Sequence, residues 1–193
     1  MMFQDTLNLV LQSLATLYIG AIWLRLLMQW SRVDFYNPLV QSIVKLTSPV
    51  ITPLRRVIPS IGSLDTASVV AAFLLTLVLG VLAALIIGYP ILLGSQLLGA
   101  VLGSILLLIK VSWWIVLIGV ILSWFPSAAH HPVGGVIMHI SRGLLEPLRK
   151  IMPDLGMIDL SPILGLLGLT VLESILYTLM SSAQLPALYG WVM

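Results

Sequence analysis

A long uncharged run in the middle of the sequence constrains the fold more than any other feature. No Asp, Glu, Lys or Arg occurs between Asp65 and Lys110. As one helix, this run would be about 66 Å long, roughly twice the thickness of the hydrocarbon core of a bilayer. The run must therefore turn back on itself, and the Gly/Pro/Ser clusters at residues 88–90 and 94–96 predict that turn.

The composition indicates that the bilayer is the solvent of the whole chain. Of the 193 residues, 60% are hydrophobic and 8% are charged, whereas a soluble domain has roughly a quarter of its residues charged. The formal net charge of +2 is too small to indicate a nucleic-acid partner. Because the chain has no cysteine, disulfides and thiolate metal sites are excluded.

Four apolar segments predict four transmembrane helices, each close to the roughly 20 residues that a spanning helix needs. The predicted spans cover residues 7–29, 67–87, 101–123 and 162–182. Arg25 falls in the last turns of the first span and is expected to extend to the headgroups, with Trp30 at the interface. The predicted fold class is therefore an all-α membrane protein.

The segments at residues 30–66 and 124–161 each carry a predicted amphipathic helix. In the first, apolar residues recur at i, i+4, i+7 and i+11, and polar residues occupy the opposite face. Such a helix is too short to span a bilayer and suits a position in the membrane interface. Pro49 is expected to end or kink the first of these helices.

A polar motif follows each amphipathic helix and recurs after 94 residues. Its members are two prolines, a basic pair, a glycine and an aspartate at identical spacing: Pro53, Arg55, Arg56, Pro59, Gly62 and Asp65, then Pro147, Arg149, Lys150, Pro153, Gly156 and Asp159. The chain is therefore predicted to be a tandem duplication, residues 1–93 and 94–193, each repeat being span, interfacial helix, basic Pro/Gly loop, span. An even number of spans per repeat predicts parallel repeats.

The distribution of Lys and Arg predicts the orientation in the membrane. Outside the predicted spans, four lie in residues 30–66, three lie in residues 124–161, and none lies in the terminal segments or the 88–100 connection. The positive-inside rule places both basic loops in the cytoplasm and both termini outside.

The repeated segment resembles the YggT family of bacterial integral membrane proteins. The resemblance is carried by the Asp-Phe-Tyr-Asn-Pro run at residues 34–38 and by the first copy of the motif. It covers essentially the whole chain, and the duplicated layout resembles the two-copy proteobacterial form. It implies an inner-membrane protein of envelope processes, such as osmotic tolerance, ion homeostasis, cell division or assembly of membrane complexes. It supplies no enzymatic activity, catalytic residue or cofactor.

The second copy departs from the first at four positions within this resemblance. Asp34, Asn37, Pro49 and Arg56 are replaced by Ala128, His131, Gly143 and Lys150. If the loops bind a specific ligand, the second copy is expected to bind it more weakly.

The basic pairs Arg55–Arg56 and Arg149–Lys150 have two interpretations. They are either topology determinants that sit among anionic headgroups, or a recognition site for a phosphate headgroup or for an acidic segment of a membrane-protein partner. Arginine suits the second role because its planar fork binds oxyanions through two hydrogen bonds. The fixed Pro/Gly frame favours a defined loop.

Lys110 and Glu173 lie inside the third and fourth spans at similar depth, and an isolated ion at that depth is costly. We therefore expect them to form an intramembrane ion pair, either structural or as part of a proton or cation relay. The first copy has Thr16 and Leu79 at the corresponding positions, which argues against a symmetric pathway.

The remaining polar residues give no enzyme signature. Asp65 and Asp159 precede predicted spans, where they are expected to cap a helix or pair with the arginine of their own loop rather than act as catalytic acids. His130, His131 and His139 predict no metal site, because adjacent histidines rarely point the same way and the first copy has no counterpart. Phosphate-binding loops, Ser–His–Asp patterns and the H-E-x-x-H motif do not occur.

Two functional interpretations of the chain remain. The first is a non-enzymatic inner-membrane protein of envelope assembly or homeostasis, whose cytoplasmic loops bind anionic lipid or a partner. The second is a small channel or transport accessory for osmotic balance, with Lys110 and Glu173 near the conduction path. Four spans leave little room for a pore, so conduction would require a homo-oligomer.

Overall fold

The computed structural model describes residues 2–62, 64–88, 90–125, 127, 130–151, 159–183 and 185, with backbone only for residues 2–5 and 87. Within these ranges the regular elements are six α-helices and no strand: α1 (Met2–Trp30), α2 (Pro38–Arg55), α3 (Thr66–Ile87), α4 (Leu93–Ser123), α5 (Pro132–Ile151) and α6 (Ser161–Ser182). Pro153 and Gly156 of the second motif lie outside the described residues.

Four of these helices are long and apolar enough to cross a membrane: Thr6–Trp30, Thr66–Ile86, Leu93–Ser123 and Ser161–Ser182. The remaining two, α2 and α5, lie between these helices in the chain. The prediction of an all-α protein with four apolar spanning helices is confirmed.

The turn between α3 and α4 is shorter than predicted. Gly88 adopts the left-handed conformation (φ 70°) at the end of α3, and its N–H donates to the Ala84 carbonyl. The chain enters α4 at Leu93, eight residues before the predicted start of the third span at residue 101. Gly94 and Ser95 belong to the first turn of α4, where few backbone hydrogen bonds are at stake and a Gly/Ser cluster is readily accommodated.

α2 begins and ends at positions that its sequence explains in part. The Asn37 side chain accepts a hydrogen bond from the Leu39 N–H at 2.9 Å, and Pro38 opens the helix. The expectation that Pro49 ends the helix is wrong, because α2 continues to Arg55 with two prolines inside it. Pro49 and Lys45 lie on the exposed face, where solvent can satisfy the carbonyl that proline leaves without a donor.

α1 and α4 occupy the centre of the bundle. α1 contacts α2, α3 and α4, and α4 also contacts α5 and α6. One buried cluster joins α1, α3 and α4 through Ile19, Ala72 and Leu106, with small residues that allow the helices to approach closely. A second cluster packs α2 and α5 against the ends of α1 and α4.

A hydrogen-bonded cap with an unusual residue ends α1. The Arg32 N–H donates to the Gln29 carbonyl and the Val33 N–H to the Met28 carbonyl, at 3.1 and 3.0 Å. These two bonds define a Schellman motif, whose left-handed position is usually glycine. Here Arg32 occupies it with φ 55°, the only positive φ at a non-glycine residue in the described part of the chain. Such a conformation costs an L-residue about 1 kcal/mol or more.

Candidate functional site

The first basic motif folds into a clamp between the end of α2 and the start of α3. Arg55 Nη2 lies 2.6 Å from Asp65 Oδ2, and Arg55 Nε lies 3.3 Å from Asp65 Oδ1. The same guanidinium donates to Gln29 Oε1 on α1 at 3.1 Å. The Asp65 side chain is fully buried, whereas that of Arg55 is 39% exposed. The clamp therefore joins three helices around one shielded carboxylate.

Asp65 is held in its charged form. Burial acts to raise the pKa of Asp65, but hydrogen bonds from Arg55 and Ser68 and the charges of Arg55 and Arg25 hold it below its ordinary value. The carboxylate accepts from the Ser68 hydroxyl and caps no backbone N–H of α3. Of the two predicted roles for Asp65, the structure gives it the local pairing.

The second motif forms the corresponding pair at the start of α6. Arg149 Nη2 lies 2.7 Å from Asp159 Oδ2, and both side chains are exposed by more than two fifths. Asp159 Oδ1 also accepts the Ser161 N–H at 3.0 Å. Hydrogen bonds from Ser161 and the charge of Arg149 hold the pKa of Asp159 below its ordinary value. This pair shares the spacing of the first and differs in its exposure.

The remaining motif residues frame these pairs. The predicted loops begin later than expected, because Pro53 lies inside α2 and Pro147 and Lys150 lie inside α5. Gly62 adopts φ 61° in the tight turn where Ile61 and Leu64 exchange backbone hydrogen bonds. The Pro59 carbonyl accepts the Thr66 hydroxyl at 2.6 Å, which fixes the loop to the start of α3. Arg56 and Lys150, the second members of the basic pairs, are exposed, and Lys150 lies 2.8 Å from Glu146 one turn earlier. The second cation of each pair therefore faces outward.

Arg25 was expected to reach the headgroups, and the structure corrects this. Its side chain is buried between α1 and α2, where Nη1 donates to Thr47 Oγ1 at 2.8 Å and to the Val44 carbonyl at 3.3 Å. Thr47 and Val44 are supplied by the face of α2 that packs on α1. Arg25 therefore joins the interfacial helix to the first span instead of facing lipid.

The corresponding place in the second half is a cavity. Gly119 of α4 stands where α1 has Arg25, and a Cβ added to it would lie 2.6 Å from Ser141 Cβ of α5. Beside this contact is a cavity of about 340 Å³, lined by residues that include Ser123, Ser141, Arg149 and Asp159. The two interfacial helices are therefore attached to their spans differently.

Lys110 and Glu173 are brought together between α4 and α6. Lys110 Nζ lies 3.9 Å from Glu173 Oε1, and both side chains are about one quarter exposed. The Lys110 ammonium also lies 5.6 Å from the centre of the Tyr177 ring. One helical turn away, Trp113 Nε1 donates to Thr170 Oγ1 at 3.2 Å. These contacts form a polar strip between two spans.

An open cleft of about 640 Å³ lies between the end of α1 and α5. Its lining residues are Trp30, Ser31, Arg32, His139, Arg142, Gly143, Glu146 and Arg149. His139 Nε2 donates to the Ser31 carbonyl at 2.7 Å and links the two walls. Arg149 thus lines this cleft, whereas Arg55 lines a neighbouring cavity with Arg25 and Gln29, and Arg32 lines both.

The histidines do not gather into a metal site. Over the described ranges, no group of three or more His, Cys, Asp or Glu side chains is placed to hold an ion. His139 is occupied by the Ser31 carbonyl, and His131 Nδ1 accepts the Val133 N–H at the start of α5.

The repeated motif predicted its own residues as the site, but three further arginines were not predicted as part of it. Arg25, Arg32 and Arg142 belong to no repeated motif, because Gly119, Pro126 and Ser48 stand at the corresponding positions of the other half. The motif residues were recognisable because they recur in both halves. These three arginines do not recur, and their difference between the halves is the signal that could have identified them.

The four long apolar helices, with two shorter helices between them in the chain, define a multi-pass α-helical membrane protein. A family model described as CCB3/YggT matches residues 4–86 and, a second time, residues 98–180. The chain belongs to the CCB3/YggT family.

Relatives of similar length support this assignment. An uncharacterized protein of Pseudomonas aeruginosa is 39% identical over 168 residues, covering 85% of this chain and 84% of the relative. The YggT protein of Escherichia coli is 38% identical over 170 residues, covering 88% of each. A Vibrio alginolyticus protein is 37% identical over 171 residues, covering 86% of this chain and 90% of the relative. No solved structure gives a significant match.

Proposed function

We propose that the chain is a non-enzymatic protein of the bacterial inner membrane that acts in envelope assembly or homeostasis, such as osmotic tolerance, division or assembly of membrane complexes. Its basic segments bind anionic lipid headgroups, or the acidic segment of a membrane-protein partner, at the cytoplasmic face. The observation that carries the proposal is that both amphipathic helices end in a basic pair whose second cation, Arg56 or Lys150, is exposed.

We infer that the two cations of each basic pair have different roles. Arg55 and Arg149 are partly neutralised by Asp65 and Asp159, and they fix the loops to the next spans. Arg56 points outward from the first loop and makes no ion pair with another described residue. A basic residue near an anionic leaflet contributes about 1 kcal/mol, so the clamp orients the loop while Arg56 supplies the attraction. Lys150 contributes less because it is paired with Glu146.

The orientation is part of this proposal. Both termini lie outside, and the segments with α2 and α5 lie in the cytoplasm, as the Lys and Arg count favours. A tandem duplication with parallel repeats is proposed on three observations. The polar motif recurs after 94 residues, the helices recur in the order span, amphipathic helix, span, and the family model matches twice.

The lipid proposal is tested by electron spin resonance of spin-labelled lipids around the reconstituted full chain. The preference for phosphatidylglycerol over phosphatidylcholine at the protein surface should fall severalfold in the Arg56→Gln, Lys150→Gln variant. An unchanged preference would contradict headgroup binding by these cations. Photo-crosslinking from the same two positions in native membranes then tests for a protein partner.

A small oligomeric channel or transport accessory is the second candidate. It is favoured by one observation, that a lysine and a glutamate within 3.9 Å of each other lie inside the spans. Ion flux through liposomes that is abolished by Glu173→Gln would support this candidate. The absence of flux in the wild-type chain would reject it.

A further inference from the structure

We infer that the cleft between the end of α1 and α5 is a binding site for a single phosphate group, held by Arg32 and Arg142 with Arg149 at its edge. This inference adds a specific ligand site to the proposed function. It rests on that function because the cleft is cytoplasmic only in the proposed orientation. It also moves the specific site away from the exposed loop cations. The phosphate belongs either to a phospholipid headgroup or to a soluble phosphate compound.

Two unpaired guanidinium groups carry the inference. Within the described part of the chain, neither the Arg32 nor the Arg142 side chain makes a hydrogen bond or an ion pair with another residue. Both line the same cleft, one from each wall. An arginine fork matches the oxygens of a phosphate, and two forks facing one cavity suit a doubly coordinated oxyanion.

The position of Arg32 is maintained at a conformational cost. Glycine would close the Schellman motif with no strain, yet an arginine occupies the left-handed position with φ 55°. Strained backbone of this kind concentrates at sites where a side chain must be placed in a particular direction. The Schellman motif turns the chain away from the axis of α1 at Arg32, and Arg32 lines the cleft there.

A serine that lines the cleft carries a further donor group. The Ser31 hydroxyl oxygen is buried and makes no hydrogen bond in the described structure. Gly143 of α5 allows this close approach, since a Cβ there would lie 3.0 Å from the Ser31 oxygen. Buried polar atoms are nearly always paired, and this unpaired hydroxyl belongs to a residue that lines the cleft.

Among the described residues, Glu146 is the one acidic side chain that lines the cleft. It lies 2.8 Å from the Lys150 ammonium, whose hydrogen bond and charge hold the pKa of Glu146 below its ordinary value. The carboxylate is therefore engaged by a cation on its own helix. The two unpaired arginines, Arg32 and Arg142, remain to outweigh it, while Arg149 is paired with Asp159.

The other half of the chain does not build a second copy of this site. The positions that correspond to Arg32, His139 and Arg142 are Pro126, Lys45 and Ser48. Proline cannot adopt a positive φ, so the capping geometry that directs Arg32 is not available to that sequence. We therefore expect each chain to bind one phosphate group at this kind of site.

The test uses the full chain in phosphatidylcholine nanodiscs titrated with phosphatidylglycerol, with bound lipid measured by native mass spectrometry. A parallel titration with inorganic phosphate is followed by ³¹P NMR. The variant is Arg32→Gly with Arg142→Gln, because glycine preserves the cap of α1 while removing the guanidinium. The control is Lys45→Gln, compared with Arg142→Gln alone, since each removes one charge and Lys45 does not line the cleft.

We expect a single phosphatidylglycerol or phosphate per chain, bound about tenfold or more weakly for each guanidinium removed. The control should bind like the wild type. Binding of the lipid alone identifies a headgroup, and binding of inorganic phosphate alone identifies a soluble ligand. Absence of both, or equal losses in variant and control, would overturn the inference. Loss in the variant with unchanged lipid preference in Arg56→Gln, Lys150→Gln would reject only the loop cations of the proposed function.

Discussion

The same Pro-Leu-Arg motif produces a buried clamp in the first half of the chain and an exposed ion pair in the second. Arg55 and Asp65 are ten residues apart, as are Arg149 and Asp159. The Asp65 side chain is nevertheless fully buried, whereas 48% of the Asp159 side chain is exposed. The motif determines which residues pair, and its surroundings determine how much the pair contributes to stability.

Two substitutions outside the motif account for this difference. Ser68 donates its hydroxyl to Asp65, but the corresponding residue of the second half is Pro162, which has no hydroxyl. Arg25 fills the space between α1 and α2, whereas Gly119 brings α5 directly against α4 and leaves a cavity beside the contact. A repeated motif is therefore poor evidence that two sites have equal roles.

The largest expected difference between the halves is the cost of removing each carboxylate. Asp65→Asn should lower the free energy of unfolding by about 2 kcal/mol, below the cost for a fully buried pair because Arg55 is partly exposed. Asp159→Asn should cost less than about 1 kcal/mol, as for an exposed pair. Unfolding of both variants in mixed micelles measures the difference, and equal losses would contradict the comparison.

The packing of α5 on α4 gives the next largest effect. Gly119→Ala places a methyl group against Ser141 Cβ, which cannot rotate away, so we expect a loss of about 1–2 kcal/mol. Gly168→Ala is the matched control, because nothing lies within 4 Å of a Cβ at that position on α6. Thermal unfolding in detergent would show a lower melting temperature for the first variant only. A similar decrease in both would show that glycine flexibility, and not helix contact, matters.

A smaller effect is expected from the intramembrane pair, which exists only in the second half. A double-mutant cycle of Lys110→Met and Glu173→Gln should give a coupling energy of about 1 kcal/mol, the usual range for polar contacts between spans. The charge-swapped variant should be more stable than either single swap. If it is no better than the single swaps, the contact contributes nothing to stability.

The smallest expected effect is the pH dependence of the clamp. Both aspartates have a pKa lowered by folding, against an unfolded value of about 3.9. Their stabilisation is therefore fully present above about pH 4 and is lost as the pH falls through the folded values. Acid titration of unfolding should show a shallower decline in Asp65→Asn than in the wild type. An identical decline would mean that other carboxylates cause the acid sensitivity.

Much of the fold followed from hydropathy and charge. The four spanning helices and two amphipathic helices were predictable because lipid requires about 20 apolar residues per span and leaves polar residues to the interface. The start of α4 was missed because Gly94 and Ser95 are typical of turns in water but are tolerated in the first turn of a helix. Pro49 misled for a similar reason, since its missing hydrogen bond falls on the exposed face of α2.

The candidate site was less predictable than the fold. The spacing of Arg55 and Asp65 suggested their pairing, but nothing local to Arg25 indicated burial, because its partner Thr47 comes from another helix. The cleft depends on Arg32, whose left-handed conformation conflicts with the preference of its residue type. The burial of Arg25 arises from tertiary packing, and the conformation of Arg32 arises from a helix cap that its residue type disfavours. Neither gives a readable pattern in a single sequence.

The contacts of the first three helices have a consequence for how the chain is made. α1, α2 and α3 all contact one another, so these contacts form within the first 87 residues. The clamp that closes this group joins residues ten positions apart, which is a short loop to close. Because these three helices are synthesised first, their contacts can form before α5 and α6 leave the ribosome. The three-helix group then offers α4 a surface to pack against. The first half can therefore act as the template on which the second half assembles.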